Sequence, residues 1–216
     1  MKDKLILAID GATPLSSVCI SEGEKVLACM KIMPKMGHSE TLVPIIEYLL
    51  GLLSLEVKDF DVISSTVGPG TFTGIRVGIS TVEGLSIPWG IKTIGVRTTI
   101  AIALSVNRYI ERPAVIIDAR RGSAYIEKFI RVDGDALPEA EGEIMLVEYE
   151  RINEVVEGWT PVALKEQETY KLICDTGLAP VPVLAPIACG VAMAVLSYIE
   201  LGIDAPLKPL YIREPN

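Results

Sequence analysis

The sequence predicts an α/β protein built from two related lobes, and three observations carry that reading. An apolar run closed by an aspartate occurs twice, as Leu7-Ala-Ile-Asp10 and Ala114-Val-Ile-Ile-Asp118. The two acids lie 108 residues apart, half the length of a 216-residue chain. Each run is followed by a hairpin signature and then by helical and strand patterns in alternation, the order expected of α/β layers. Half of the residues are apolar and only 6% aromatic. A chain of this size buries roughly 70% of its extended surface, so it needs no covalent staples, and its apolar fraction excludes disorder.

Leu5–Asp10 reads as a buried strand. Ser16–Ile20 and Lys25–Ile32 flank the turn Ser21-Glu22-Gly23-Glu24 and read as a hairpin. Ser39 is expected to open a helix that runs to Leu53. Asp61–Val67 is the next strand, a glycine-rich turn follows, and a helix is expected over Phe72–Ile87. Lys92–Gly95 is a short strand and Thr98–Ile110 a helix. In the second half, Ala114–Asp118 is a strand and Ser123–Val132 a hairpin arm, with Asp133-Gly134 as the turn signal. Residues 148–174 carry no clear period. The longest uncharged stretch, Leu178–Ile199, holds Pro180, Pro182 and Pro186. It reads as a proline-rich connection entering a buried helix near Ile187, not as a membrane span.

With 28 acidic against 20 basic residues the net charge is −8, and the isoelectric point is near 4.8. Phosphate contacts need clustered Lys and Arg, so if nucleic acid matters here a partner holds most of it. Cys19, Cys29, Cys174 and Cys189 form no C-x-x-C pair and read as buried small hydrophobes of a reducing compartment. Cys19 and Cys29 could face each other across the first hairpin. Lys2 and Lys4 precede only five apolar residues, too few for a secretion signal, so a cytoplasmic location is expected.

The segment from Gly68 to Gly78, GPGTFTGIRVG, stands between a strand and a helix, where α/β proteins often grip phosphate. Gly74 is followed by Ile75, so no P-loop Lys is present, and Thr73 stands where the dinucleotide fingerprint needs glycine. Gly70, Gly74 and Gly78 recur every four residues, and Thr81 extends the stripe. Each interior glycine costs about 0.8–1 kcal/mol relative to alanine, which close backbone approach can offset. Packing inside the lobe, contact with a partner and anion binding all remain open.

The same segment closely resembles the signature of the TsaB (YeaZ) family, whose members help install threonylcarbamoyl on the adenosine beside certain tRNA anticodons. Leu7-Ala8-Ile9-Asp10, His38-Ser39-Glu40, the Asp118-Ala119-Arg120-Arg121-Gly122 turn with Tyr125, and the ending Pro209-Leu210-Tyr211-Ile212-Arg213 support the resemblance across nearly the whole chain. The motif residues are Asp10, Gly68, Pro69, Gly70, Thr73, Arg76, Asp118, Arg120, Arg121 and Gly122. The resemblance implies the actin-like ATPase (ribonuclease H-like) fold in two duplicated lobes. These are an N-terminal lobe over 1–110 and a C-terminal lobe over 111–216, whose final segment packs back on the first. It further implies a non-catalytic subunit that supports a TsaD-type catalytic partner alongside a TsaE-type ATPase. Threonylcarbamoyl then comes from an adenylate made by a TsaC-type enzyme, and tRNA is met indirectly. Two departures stand out. Gly11-Ala12 replaces the family's usual Thr-Ser, and no glycine turn occurs near Val162–Lys165.

Candidate chemistry is sparse. His38 is the single histidine, so two-histidine metal sites within one chain are excluded, and it reads as a capping or surface residue. Asp10 and Asp118 could be paired carboxylates. Arg120 and Arg121 could hold an anion or merely form a solvated turn. No cofactor of its own and no metal are expected, with ATP or ADP entering only in an assembled complex. At about 100° per residue, Leu42, Val43, Ile45, Ile46, Tyr48, Leu49, Leu50, Leu52 and Leu53 cover roughly 220° of the first helix. A helix so widely apolar is central or part of an interface. The expected contact surface, for a partner and for a homodimer of the lone chain, is Leu42, Ile45, Ile46, Leu49, Leu50 and Leu53 with Phe72, Gly74, Gly78 and Thr81. Gly74→Leu is then expected to weaken pairing while the lobe stays folded. The competing function is a stand-alone actin-like phosphotransferase or ATPase; a protease is a third and weaker reading.

Overall fold

The computed structural model describes residues 4–35, 37–106, 109–131 and 137–212. Asp133, Gly134 and Arg213, invoked above, lie outside the described residues, as does Val132. The first lobe holds strands β1 (Leu5–Asp10), β2 (Ser16–Glu22), β3 (Lys25–Ile32), β4 (Val62–Gly68) and β5 (Lys92–Arg97). Their order across the sheet is β3-β2-β1-β4-β5, antiparallel in the β1–β2–β3 meander and parallel from β1 to β5. The second lobe holds β6 (Pro113–Asp118), β7 (Ser123–Ile130), β8 (Glu139–Ala140), β9 (Met145–Glu148), β10 (Thr160–Ala163) and β11 (Val181–Pro182). Here β9 pairs β7, β7 pairs β6, and β6, β10 and β11 run parallel. The order β9-β7-β6-β10-β11 repeats that of the first sheet strand for strand. This is the duplicated unit of the actin-like, ribonuclease H-like fold.

Helices α1 (Leu42–Leu53) and α2 (Phe72–Ser86) cover one face of the first sheet. Leu42, Ile45, Ile46 and Leu49 of α1 and Val82 of α2 form one core with Leu7, Ile9, Val18 and Ile20. Burying each such aliphatic side chain contributes about 1.5–3 kcal/mol. The opposite face, Ile6, Ala8 and Cys19, packs on α3 (Thr98–Leu104) and α6 (Ile187–Glu200), and that core continues into Val115, Ile117 and Phe129 of the second sheet. The two short helices α4 (Ile152–Val155) and α5 (Glu168–Asp175) belong to the second lobe, where Ile152 and Ile173 pack with Ala114, Ile116 and Ile126.

Several boundaries differ from the sequence reading. Helix α1 starts at Leu42, not Ser39, because the N–H groups of Thr41 and Leu42 both donate to the His38 carbonyl (3.1 and 2.9 Å) and close a turn first. Ser39 therefore does not cap it. Pro44 then falls within the first turn, where a missing N–H costs nothing. Helix α3 ends at Leu104, not Ile110, as the Ser105 N–H splits between the Ala101 and Ile102 carbonyls. No helix among the described residues is long and apolar enough to cross a membrane. Cys29 and Cys174 are exposed, so burial of all four cysteines is corrected.

An ion pair joins the lobes. Arg97, at the end of β5, lies 2.6 Å from Glu127 of β7, whose side chain is wholly buried, and the Thr99 hydroxyl donates to its other oxygen. Burial pushes the Glu127 carboxyl upward, against the pull of the Thr99 bond and of Arg97.

Candidate docking face and interlobe cleft

Asp10 ends β1 with its carboxylate fully buried and saturated. Oδ1 accepts from the Ala12 N–H (3.0 Å) and the Thr66 hydroxyl (2.8 Å), and Oδ2 from the Thr13 hydroxyl (2.6 Å). Burial raises its pKa, and these three bonds oppose the rise. The bonds spend the carboxylate on tying the β1–β2 loop to β4. Its equivalent Asp118, ending β6, accepts from the Arg120 N–H (2.7 Å) and the Tyr149 hydroxyl (2.9 Å). The two acids thus close equivalent turns, one in each lobe.

The glycines answer the question left open above. A Cβ on Gly74 would collide with the Gly11 carbonyl, and one on Gly11 would lie 2.7 Å from the Gly74 carbonyl. A Cβ on Gly78 would lie 2.5 Å from Ser65 Oγ. These residues line the inner face of α2, where the loop after β1 comes into backbone contact. Gly11, a departure from the family pattern, is therefore matched to Gly74. Gly68 has a left-handed φ of 116° and faces the C-terminal tail, whose Leu210 N–H donates to the Val67 carbonyl (2.7 Å).

The loop also forms one wall of a cleft of about 390 Å³ between the lobes. Pro69, Gly70 and Thr73 stand on that wall, and Arg120 and Arg121 on the other, with Tyr211 from the tail. Arg120, Arg121 and Gly122 are consecutive left-handed residues (φ 61°, 54° and 76°). For a non-glycine residue that conformation costs about 1–2 kcal/mol. Arg120 reaches Asp118 at 3.6 Å but is 74% exposed. Two cations thus face the N-terminal end of α2, a combination that favours anions. Among the described residues no group of three His, Cys, Asp or Glu could hold a metal ion. His38 lies with Nδ1 2.8 Å from Ser16 Oγ, and burial lowers its pKa.

The apolar arc of α1 is divided differently from the expectation. Leu42, Ile45, Ile46 and Leu49 are buried in their own lobe, and Leu50 and Leu53 half-buried against it. Gly74 and Gly78 are buried as well, and Thr81 is half-buried. The arc is centred on the sheet, so only its flanks reach solvent. The exposed face of α1 is Val43, Pro44, Glu47, Tyr48, Gly51 and Leu52, with Tyr48 and Leu52 about 60% exposed. On α2 it is Phe72, Thr73, Arg76, Ser80, Glu83 and Gly84, ending in the 3-10 turn Ile87–Trp89, where Ile87 is 74% exposed. The two helices touch. Arg76 stacks on Phe72 at 3.8 Å, and its Nε donates to the Tyr211 hydroxyl (3.1 Å), while the Phe72 and Tyr211 rings lie 5.2 Å apart. The sequence reading missed Ile87, Trp89 and the Tyr211 stack. Two large apolar residues flanking Pro88 at a helix end were the available signal.

Comparison with known proteins adds the following. A family model described as "TsaD: tRNA N6-adenosine threonylcarbamoyltransferase" matches residues 32–199. The tRNA threonylcarbamoyladenosine biosynthesis protein TsaB of Escherichia coli is 29% identical over 178 residues, which is 80% of this chain and 77% of that protein. The TsaB protein of Haemophilus influenzae is 28% identical over 134 residues, spanning 61% of this chain and 56% of that one. In fold, the structure of YeaZ from Pseudomonas aeruginosa superposes with a TM-score of 0.77 at 22% identity, covering 97% of this chain and all of that one.

Proposed function

We infer the function from this premise: the chain belongs to the TsaB (YeaZ) family of proteins that serve tRNA threonylcarbamoyladenosine formation. Within that pathway it acts as a docking subunit without chemistry of its own. It seats a TsaD-type catalytic subunit on the outer face of α1 and α2 and assembles further with a TsaE-type ATPase. The observation that carries this reading is the set of exposed apolar side chains on two touching helices, Val43, Tyr48, Leu52, Phe72, Ile87 and Trp89. Ser80 and Gly84 supply small side chains between them, so a facing helix can approach closely. Large exposed apolar side chains on two adjoining helices mark an association site.

The saturation of Asp10 supports the absence of independent phosphotransfer, since both oxygens are already held by protein donors. The interlobe cleft, with Arg120 and Arg121 opposite the start of α2, suits an anionic group, and ATP or ADP enters only in the assembled complex. Charge favours this division of labour: a chain of net charge −8 leaves tRNA contact to its partner. In the absence of the partner the same face closes on a second copy, because a two-fold pair is the commonest closed assembly.

Reconstitution of tRNA modification with the TsaD-type and TsaE-type subunits of the same organism tests the reading. Modification should fail when this chain is omitted and when it carries Tyr48→Asp with Leu52→Asp. Modification that proceeds normally without it would refute the role.

A further inference from the structure

Three of the four cysteines converge on one spot. Cys19 of β2 and Cys29 of β3 are directly opposed in the sheet register, as are Ser17 and Lys31 on the same face. Helix α6 and the segment entering it are held on that face by two bonds: the Ala188 N–H donates to Ser17 Oγ (3.1 Å), and Lys31 Nζ donates to the carbonyl of Leu184, just before the helix (2.5 Å). Cys189, third residue of α6, is thereby packed against the core that holds Cys19, beside the opposed Cys19–Cys29 pair, where α6 meets both β2 and β3. All three are free thiols; Cys19 is buried, Cys189 half-buried and Cys29 exposed on the edge strand.

We propose that Cys189 and Cys29 form a peroxide-reactive dithiol that closes into a disulfide between α6 and β3. The Cys189 thiolate attacks a hydroperoxide, forming an S–O bond as the O–O bond breaks. The departing alkoxide or hydroxide takes a proton, leaving a sulfenic acid. Cys29 then attacks that sulfur, the S–S bond forms, and the hydroxyl leaves as water with the Cys29 proton. Two thiols and one hydroperoxide become one disulfide, one alcohol or water, and one further water.

The geometry assigns the roles. Cys189 lies in the first turn of a 14-residue helix, where the dipole favours a thiolate. The Cys19 hydrogen bond, and secondarily that of Cys29, hold its pKa below the ordinary thiol value against burial. Cys29 is open to solvent, so water can leave. Cys19 is sealed in the core between sheet and helices, out of reach of a hydroperoxide in solvent.

The test uses the purified, reduced full chain treated with hydrogen peroxide, followed by blocking of residual thiols and peptide mapping by mass spectrometry. The expected product loses two hydrogens from the intact mass and carries a Cys29–Cys189 link. Cys29→Ser should instead accumulate a sulfenic acid at Cys189 that a dimedone probe captures. Cys189→Ser should show neither product, and Cys19→Ala should retain the link. Alkylation of Cys189 should reach half its maximal rate below pH ~8.5, the value of a free thiol. A first product joining Cys19 to Cys29, a link through Cys174, or oxidation of Cys174 ahead of Cys189 would overturn the proposal.

Discussion

Gly74 and Gly84 lie ten residues apart on α2, and replacing each by alanine should move stability in opposite directions. At Gly84 an added Cβ meets nothing within 4 Å. Gly84→Ala therefore realises the helix preference for alanine alone, a gain of up to about 0.8–1 kcal/mol. At Gly74 the same preference applies, but the new Cβ falls on the Gly11 carbonyl, with Gly11 C at 2.9 Å. That loop cannot easily retreat. Asp10 holds the Ala12 and Thr13 groups on one side, and the Thr71 N–H donates to the Ala12 carbonyl (2.8 Å) on the other. Overpacking of this kind costs about 1–3 kcal/mol, occasionally more. After the propensity gain, Gly74→Ala should lose up to about 2 kcal/mol, and the two variants should differ by the overpacking cost itself, about 1–3 kcal/mol. In a chain of this size each kcal/mol shifts the melting midpoint by about 2–4 °C. Urea unfolding followed by circular dichroism, with unchanged slope as the control, reads both values. A Gly74→Ala variant as stable as Gly84→Ala would refute the backbone-contact account of the glycine stripe. Because the contact is internal, Gly74→Leu should damage the fold itself, contrary to the sequence expectation.

Further predictions concern electrostatics and assembly. Thr66→Val removes a bond to the ionised Asp10, so the Asp10 pKa in the folded state, already raised by burial, rises further. A raised folded pKa means the native state holds its proton longer. The variant's deficit should be largest at neutral pH and shrink as pH falls toward the ordinary carboxylate range near 4; a deficit growing on acidification would contradict this. Arg97→Met strands the buried Glu127 carboxyl and should cost about 3–5 kcal/mol in urea unfolding, less at low pH, where Glu127 is neutral. A loss below about 1 kcal/mol would show that the interlobe pair carries little. The lone chain should scatter light as a dimer at micromolar concentration, and Tyr48→Asp with Leu52→Asp should make it monomeric without altering its circular dichroism. A clean monomer in the parent chain would exclude the two-fold pair.

Strands bounded by an acid or a tight turn were legible because their boundaries are chemical. The aspartates closing β1 and β6 accept hydrogen bonds from the turns that follow, and this made the duplication visible. Residues 148–174 were not legible because they form a 3-10 turn, two helices of four and eight residues and a four-residue strand containing Pro161. None of these is long enough to establish a period. The start of α1 was misplaced because the His38 carbonyl, rather than a Ser39 hydroxyl, organises its entry. The width of the apolar arc on α1 was read correctly, but not its orientation. Sequence alone does not tell which part of a 220° arc faces the sheet, and the strand partners Leu7, Ile9, Val18 and Ile20 settle that. The glycine stripe was likewise visible while its partner was not, since nothing in the sequence pairs Gly11 with Gly74.

The most direct test is a binding titration between the purified chain and the TsaD-type subunit of the same organism. It compares the parent with Gly84→Arg on the outer face of α2 and with Arg120→Ala/Arg121→Ala in the cleft. Gly84 has open space around it, so its replacement leaves the fold intact. The docking account predicts at least about tenfold weaker binding for Gly84→Arg, equivalent to about 1.4 kcal/mol, and near-parental binding for the double arginine variant. Normal binding by a folded Gly84→Arg together with loss of binding by the arginine variant would place the contact in the second lobe and contradict the account.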